Sequence, residues 1–274
     1  MTVGEAIRAA ATRLAPASDT ARLDAELLMA HALGLSRSDM LLRAMRDPAP
    51  ESFAALIERR ATHEPVAYIT GTAEFYGLEV TVTPATLIPR GDSEALIEAA
   101  LEVAGLTGRV IDLGTGSGAL LLALLANRDG WQGVGMDASA GALAVASGNA
   151  ASLGLANRSQ WHRRDWHTPG WTDDLGTFDL VLCNPPYIEA DAALDAQVRD
   201  HEPVTALFAG PEGLDDYRVL IPQLGKLLVE GGIAIFEIGA AQADAVTAIA
   251  EASGFAAEMR RDLASRPRAL ILRR

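Results

Sequence analysis

Apolar residues recur along the chain with two different spacings. Up to about residue 65 they return every three or four positions, which is the spacing of one face of a helix. Beyond about residue 105, short apolar runs alternate with helical stretches, which is typical of a doubly wound sheet with right-handed crossovers. We therefore predict an α/β fold, in which a small bundle of helices precedes a seven-stranded, doubly wound, Rossmann-like sheet.

A turn-rich stretch lies between these two regions. Residues 66–69 and 78–82 are rich in β-branched and aromatic side chains and flank Gly71 and Gly77, so we interpret them as the strands of a linking β-hairpin. The helical region holds no cluster of side chains with catalytic chemistry, which favours a role in recognising a substrate. The predicted domains are a helical substrate-recognition domain over residues 1–65, a β-hairpin linker over residues 66–88 and a chemistry-bearing sheet domain over residues 89–274.

The apolar run at residues 178–183 is predicted to be a buried strand, and Asn184, Pro185, Pro186 and Tyr187 follow it. The prolines end the strand and keep Asn184 out of helical geometry, so its side chain and the next carbonyl are held at the carboxyl edge of the sheet. Ligands bind at that edge in open α/β sheets. Two acceptors beside a planar ring suit a flat NH2 group, although a plain strand-ending turn is the alternative for the prolines alone.

A glycine-rich loop follows the strand predicted at residues 109–113. Its G-x-G-x-G spacing lets the backbone turn sharply and lets a ligand approach closely. The spacing differs from the G-x-G-x-x-G of dinucleotide sites, and no lysine follows as in a phosphate-binding loop. The candidate cofactor-binding residues of this loop are Asp112, Gly114, Thr115, Gly116 and Gly118.

Acidic residues end the next two predicted strands. Asp137 is placed to accept hydrogen bonds from both hydroxyls of a ribose, although a helix cap is the alternative for this residue alone. Asp165 offers an acceptor for an adenine amino group, and Trp166 offers a ring on which the base can stack. Together with the glycine loop, these residues indicate an adenosine ligand without a pyrophosphate, which is S-adenosylmethionine.

Composition excludes several functional classes. A formal net charge of −13 disfavours nonspecific binding to nucleic acid, which requires clustered lysine and arginine. No apolar run has the length of a membrane span, and the N-terminus lacks a signal-peptide pattern, so a cytoplasmic location is expected. The single cysteine, Cys183, has no partner for a disulfide, and the histidines lack ligand spacing, so we expect no metal site.

Short motifs that form a recognisable set extend over nearly the whole chain. They are Glu64-Pro65-Val66-Ala67-Tyr68-Ile69, Phe75-Tyr76-Gly77, Leu87-Ile88-Pro89-Arg90, the glycine loop, Asn184-Pro185-Pro186-Tyr187, Glu202-Pro203, Gly213-Leu214-Asp215 with Tyr217-Arg218, and Asp262-Leu263-Ala264. With this set the chain resembles the class I S-adenosylmethionine-dependent methyltransferases. Within them it is most similar to the protein-(glutamine-N5) methyltransferases that modify peptide chain release factors.

One motif departs from the pattern of that family. Where the family usually has Pro-Arg-Pro-(Glu/Asp)-Thr-Glu, this chain has Pro89-Arg90-Gly91-Asp92-Ser93-Glu94. Proline fixes one backbone dihedral angle, whereas glycine is the most permissive residue. We therefore expect a looser loop near the methionine end of the cofactor.

The resemblance implies S-adenosyl-L-methionine as cofactor, with S-adenosyl-L-homocysteine as product. It also implies release factors as protein substrates, methylated on the glutamine of a Gly-Gly-Gln motif. The residues implied to bind this substrate are Asn184, Pro185, Pro186 and Tyr187; Asn184, Pro185 and Tyr187 are the catalytic ones, and Asn184 also contacts the cofactor. We expect a monomer that contacts neither nucleic acid nor a membrane directly.

The chemistry of an amide explains why such a site needs no general base. The amide nitrogen is a poor nucleophile, because its lone pair is delocalised into the carbonyl, so transfer depends on an activated methyl group and on alignment. The Asn184 side-chain oxygen and the Pro185 carbonyl can accept the two N–H hydrogens, while Tyr187 packs on the amide plane. The proton leaves after transfer, when the nitrogen has become acidic.

Three other functions are left open by the residues. The same tetrapeptide occurs in adenine-N6 DNA methyltransferases, so a nucleic-acid adenine or guanine amino methyltransferase is one alternative. A methyltransferase that modifies a glutamine of a ribosomal protein is another. The third is a cofactor-binding protein without catalysis, which the intact sequence from Asn184 to Tyr187 disfavours.

Overall fold

The computed structural model describes residues 1–274, and the chain divides into two compact units. The first unit comprises Met1–Thr72 and Leu194–Glu202, and the second comprises Ala73–Ala193 and Pro203–Arg274. The sequence carries no signal that a segment as late as Leu194–Glu202 packs with the first unit. The domain boundaries at residues 65 and 88 stay predictions.

Twelve helices and nine strands make up the fold. The helices are α1 (Val3–Leu14), α2 (Ala21–Leu33), α3 (Arg37–Asp39, continued by a π-helical turn over Met40–Ala44), α4 (Ser52–Ala61), α5 (Val66–Thr70), α6 (Glu94–Val103), α7 (Ala119–Asn127), α8 (Ala140–Ser152), α9 (Ala196–His201), α10 (Asp215–Leu220), α11 (Leu224–Leu227) and α12 (Ala243–Ala252). The strands are β1 (Thr72–Phe75), β2 (Leu78–Thr81), β3 (Thr107–Leu113), β4 (Gly130–Asp137), β5 (Ser159–Arg163), β6 (Phe178–Cys183), β7 (Leu228–Glu237), β8 (Ala256–Arg261) and β9 (Pro267–Arg273).

The first unit is a bundle of helices, as the helical spacing predicted. A capping box starts α1, because Thr2 accepts a hydrogen bond from the Glu5 N–H and the Glu5 carboxylate accepts one from the Thr2 N–H. The apolar faces of the helices form one core; its members include Val3, Ile7, Leu28, Met29, Phe53 and Ile57. Burial of these faces, more than local propensity, stabilises helices of this length.

The prediction of a strand at residues 66–69 is wrong, because this segment forms the helix α5. Pro65 precedes the helix, and Gly71 ends it in the left-handed conformation with φ +82°. The hairpin consists instead of β1 and β2, which Tyr76 and Gly77 connect with positive φ at both positions. Two positive φ angles in succession are the requirement of a two-residue hairpin turn. The β-propensity of residues 66–69 is therefore outweighed by Pro65 and Gly71, which favour the start and the end of a helix.

The predicted seven-stranded sheet is confirmed, with the order β5-β4-β3-β6-β7-β9-β8. Neighbours from β5 to β7 are parallel, and β9 is antiparallel to both β7 and β8. The chain runs outward from β3 to β5 and then returns to place β6 on the other side of β3. This reversal creates a switch point, and a crevice for ligands opens there beyond the carboxyl ends of the strands.

The central strands are buried on both faces of the sheet. Ile111 and Val181 pack into one apolar core, whereas Val110 and Leu182 pack into the other. Alternate residues thus point to opposite faces, and both faces are covered, which explains why these strands read as unbroken apolar runs. None of the helices has the length and apolar character that a membrane span requires.

The two-sided burial predicts a large cost for truncating a central residue. Leu182→Ala removes a fully buried side chain and should lower the free energy of unfolding by about 2–5 kcal/mol, because it loses buried apolar area and leaves a cavity. Leu106→Ala is the matched control, since Leu106 is 84% exposed and should change stability by about 0.5 kcal/mol at most. Chemical denaturation measures both, and equal losses would contradict the assigned core.

Candidate active site

A cavity of about 600 Å³ opens at the carboxyl edge of the sheet. All of the residues that line it belong to the second unit. The predicted site residues that line it are Gly114, Thr115, Gly116, Asp137, Asp165, Trp166, Asn184 and Pro186. The structure therefore brings most of the predicted cofactor residues and two residues of the tetrapeptide into one space, whereas Asp112, Gly118, Pro185 and Tyr187 do not line it.

The glycine loop makes its turn in left-handed geometry. Gly114 and Gly116 have φ of +73° and +55°, values that side chains rarely tolerate. A Cβ at Gly114 would lie 3.1 Å from the Trp166 ring, so that ring rests on the loop backbone. A Cβ at Gly116 would meet nothing within 4 Å, and the backbone there is open to a ligand. Gly118 immediately precedes α7 and packs against neighbouring side chains instead of lining the cavity.

Asp112 lies beneath the loop and does not line the cavity. Its side chain is almost fully buried and accepts a 2.6 Å hydrogen bond from the Thr115 hydroxyl, while Oδ1 has no hydrogen-bond partner. Burial raises the pKa of Asp112 to about 7, although the Thr115 hydroxyl opposes that rise. Asp112 therefore stabilises the loop through its hydrogen bond with Thr115 and does not reach a ligand in the cavity.

Asp137 ends β4 and points its carboxylate at the glycine loop. One carboxylate oxygen accepts the Gly116 N–H at 2.9 Å, and the other accepts the Ser139 N–H at 2.8 Å. Burial raises the pKa of Asp137, while these backbone N–H groups lower it. The N-cap of α8 is Ser139, whose hydroxyl accepts the Ala142 N–H. Asp137 is therefore not the cap of this helix, which was the alternative role for it.

Asp165 and Trp166 follow β5 and line the cavity, but a partner that the sequence did not reveal holds the indole ring. The indole N–H of Trp166 donates a 2.6 Å hydrogen bond to Asp216, a buried residue that also lines the cavity. The ring nitrogen Nε2 of His167 lies 3.1 Å from the same carboxylate oxygen. Burial raises the pKa of Asp216, and its bonds to Trp166 and His167 lower it. The adjacent motif Gly213-Leu214-Asp215 was the only nearby signal.

The two ends of the tetrapeptide face different surroundings. At the first end, the Asn184 side-chain N–H donates to the Ser93 hydroxyl at 3.4 Å, which leaves Oδ1 as the atom that can accept from a ligand. At the other end, Tyr187 does not line the cavity. Its ring packs on the core of the second unit, and its hydroxyl donates to Glu237 at 3.2 Å. Burial, followed by the charge of Glu237, raises the pKa of Tyr187.

Glu237 is a second residue that the sequence analysis missed. It ends β7, beside the end of β6, and is 1% exposed. Its main-chain oxygen accepts the Tyr217 hydroxyl at 2.7 Å, and its Oε2 has no hydrogen-bond partner. Burial raises the pKa of Glu237 to about 7, against the lowering effects of Ser93 and Arg268. An acidic residue inside the apolar run of residues 233–238 is a signal that could have identified it.

Comparison with known proteins defines the class. Residues 91–201 match the family model "Methyltransferase small domain", and residues 5–71 match "PrmC N-terminal domain". The fold is shared with a methyltransferase from Pyrococcus furiosus, at a TM-score of 0.52 and 15% identity over 73% of this chain and 90% of that one. It is also shared with the hMettl16 catalytic domain, at a TM-score of 0.57 and 18% identity over 78% and 81% of the two chains. The fold is the one that these methyltransferases have.

Curated relatives narrow this class to one family. The release factor glutamine methyltransferase of Rhodospirillum rubrum is 44% identical over 92% of this chain and 79% of its own length. That of Bradyrhizobium diazoefficiens is 40% identical over 99% of this chain and 95% of its own length. The chain belongs to the release factor glutamine methyltransferase family, which confirms the resemblance drawn from its motifs.

The buried carboxyl of Glu237 predicts a pH-dependent stability. Its pKa rises from an ordinary 4.5 to about 7 on folding, so the folded chain binds the proton more tightly than the unfolded chain. Stability is therefore lost as the pH rises from about 4.5 to about 7, by up to about 3 kcal/mol. Glu237→Gln removes this titration and should become more stable relative to the wild type between pH 5 and pH 8.

Urea denaturation at the two pH values measures this difference. The other raised carboxyl groups, Asp112, Asp137 and Asp216, are present in both proteins, so their titration cancels in the comparison. A constant difference in unfolding free energy between the two proteins at pH 5 and pH 8 would contradict the assigned pKa of Glu237.

Proposed function

We propose that this protein transfers a methyl group from S-adenosylmethionine to the side-chain nitrogen of the glutamine in a release factor Gly-Gly-Gln motif. The observation that carries the proposal is the shared cavity, in which Asn184 and Pro186 lie in the same space as Gly116 and Asp137. A methyl donor and an amide acceptor must meet within a few ångströms, and one cavity lined by both sets of residues allows this.

S-adenosylmethionine fits the residues that line the cavity. The open space at Gly116 admits a ligand against the backbone. Each carboxylate oxygen of Asp137 accepts one backbone N–H and keeps a further lone pair for a ribose hydroxyl. Asp165 is the acceptor for the adenine amino group, and the Trp166 ring, held by Asp216, is the platform for the base. S-adenosylhomocysteine is the product that leaves.

The chain's own residues supply alignment more than proton chemistry. When bound, S-adenosylmethionine supplies an electrophilic methyl group. Asn184 Oδ1 accepts one of the two amide hydrogens and orients the nitrogen, and such a preorganised group is commonly worth about 10²–10³ in rate. Acceptance of the other hydrogen by the Pro185 carbonyl would require the amide to reach beyond the cavity lining, to which Pro185 does not belong. Direct packing of Tyr187 on the substrate amide would require its ring to reach the cavity, which it does not line. Tyr187 acts in this proposal by anchoring the end of the tetrapeptide to Glu237.

The substrate is chosen by chemistry and charge together. A planar NH2 group is shared by glutamine and by adenine, so the tetrapeptide does not distinguish them. A net charge of −13 repels a nucleic-acid backbone but not a protein loop. The names of the relatives point to a release factor in the same way.

The decisive experiment incubates the protein with S-adenosylmethionine and release factor, ribosomal proteins or adenine-containing DNA, and reads each by tandem mass spectrometry. We expect one methyl group on the Gly-Gly-Gln glutamine.

Asn184→Ala should reduce transfer by about 10²–10³ with cofactor affinity nearly intact. Asp137→Ala should instead weaken cofactor binding by about 3 kcal/mol in calorimetry, because two hydrogen bonds to a charged acceptor are lost. Methylated adenine with unmodified glutamine would overturn the proposal.

The helical unit serves in this proposal to recognise the release factor. It contributes no residue to the cavity, and it carries Leu42, an apolar side chain that is 80% exposed. Leu42→Asp should raise the KM for release factor several-fold and leave cofactor affinity unchanged, because a charge replaces exposed apolar contact area. Arg13→Asp, which changes an exposed charge in the same unit, is the control. An unchanged KM in Leu42→Asp would exclude this surface from docking.

A further inference from the structure

The loop over residues 89–94 borders the cavity and contacts Asn184, the residue proposed to orient the substrate amide. Pro89 and Ser93 line the cavity, and the Ser93 hydroxyl accepts the side-chain N–H of Asn184. An amide group can rotate by half a turn and exchange its donor and acceptor ends. In this structure the Ser93 hydroxyl engages the nitrogen, which favours the orientation that leaves the oxygen for a ligand. The position of the loop thus sets the orientation of Asn184.

Gly91 lies two residues before Ser93 in this loop, where a restricted backbone would help to fix the position of Ser93. Gly91 opens a short 3₁₀ turn over Gly91–Ser93, and a Cβ at Gly91 would have nothing within 4 Å. Glycine has the widest choice of backbone conformations, and no neighbouring side chain packs over it. The N–H of Ser93 donates to the Arg90 carbonyl at 3.0 Å, but the turn that this bond closes begins at a residue with little restriction of its own.

The adjacent residue, Asp92, is held by two arginines. Arg268 of β9 donates to its carboxylate at 2.7 Å, and Arg266, just before β9, donates at 3.2 Å and 3.4 Å to the two carboxylate oxygens. Asp262 accepts from Arg266 at 3.1 Å and lies 3.7 Å from Arg268, so the arginines are themselves fixed. The Arg268 side chain is 9% exposed, whereas the side chains of Asp92 and Arg266 are 41% and 52% exposed. Solvent therefore screens these pairs in part, and the bond to the buried Arg268 is the stronger of the two.

We propose that Asp92 is a positioning residue for the methyl-acceptor site. Held by Arg266 and Arg268, it ties the flexible turn at Gly91 to the sheet and thereby keeps Ser93 against Asn184. The ion pairs restrict the conformation of the turn, as a proline ring at position 91 would. The expected looseness of this loop is offset by side-chain contacts from the last strand of the sheet.

A rescue experiment separates positioning from general stability. Asp92→Ala should lower kcat for release factor methylation by about 10–100-fold, because a misplacement of about 1 Å is worth up to about 10² in rate. The affinity for cofactor should change little. Adding Gly91→Pro to Asp92→Ala should recover most of the lost kcat, since the ring stiffens the turn without any charge.

Proline is compatible with position 91. Arg90 has φ −104° and ψ +141°, within the region that a residue before proline prefers. The first position of a helical turn suits proline, and the space beside Gly91 is open. Glu258→Ala is the matched control, because it breaks exposed ion pairs to Arg260 and Arg273 on the same sheet and should leave kcat unchanged.

The rate measurements rest on the proposed function. A second measurement, which needs no substrate, therefore tests the contact between Asn184 and Ser93 directly. In the ¹⁵N NMR spectrum, the side-chain amide signals of Asn184, assigned from their loss in Asn184→Ala, report the contact with Ser93. They should move in Asp92→Ala towards their position in Ser93→Ala, and return in Gly91→Pro/Asp92→Ala. If these shifts occur while no release factor is methylated by the wild type, the proposed function fails and the positioning role stands. Unmoved signals, or a loss of kcat that Gly91→Pro does not rescue, would overturn the role of Asp92.

Discussion

Parallel pairing of β3 with β6 is the constraint on which the site depends. The register sets Leu113 opposite Cys183, so the glycine loop and the tetrapeptide leave the sheet at the same level, at Gly114 and Asn184. Both strands are buried on both faces, and a shift of one residue would move each side chain to the opposite core. The closeness of the loop and the tetrapeptide is therefore a consequence of strand register, which the two cores enforce.

Buried carboxyl groups then refine what the register brings together. Asp112 accepts the hydroxyl of the glycine loop, Asp216 accepts the indole N–H of Trp166, and Glu237 accepts the hydroxyl of Tyr187. Burying a carboxyl group is costly, and the raised pKa of each shows this cost. Apolar packing leaves loops and rings some freedom, whereas a directional hydrogen bond in a water-poor site holds one arrangement. Stability is thus exchanged for a fixed geometry around the cavity.

Periodicity and backbone chemistry made most of the fold predictable. The seven strands, the bundle of helices and the glycine loop follow from helix and strand spacing and from the demands of glycine and proline, which are local properties. Residues 66–69 show the limit of such reasoning. Their composition favours a strand, but Pro65 and Gly71 bracket a helical turn that buries Tyr68 and Ile69.

The partners within the site were not predictable, because they come from distant parts of the chain. Asp137, Asp165 and Asn184 could be identified as candidates from their places at or just after the ends of strands. The residues that hold them, Asp216 and Glu237, come from other elements, and the direction of Tyr187 follows from Glu237. Arg268 reaches Asp92 from the last strand. Sequence spacing carries information about faces and turns, whereas the meeting of side chains depends on strand order and packing, which exist only in the folded chain.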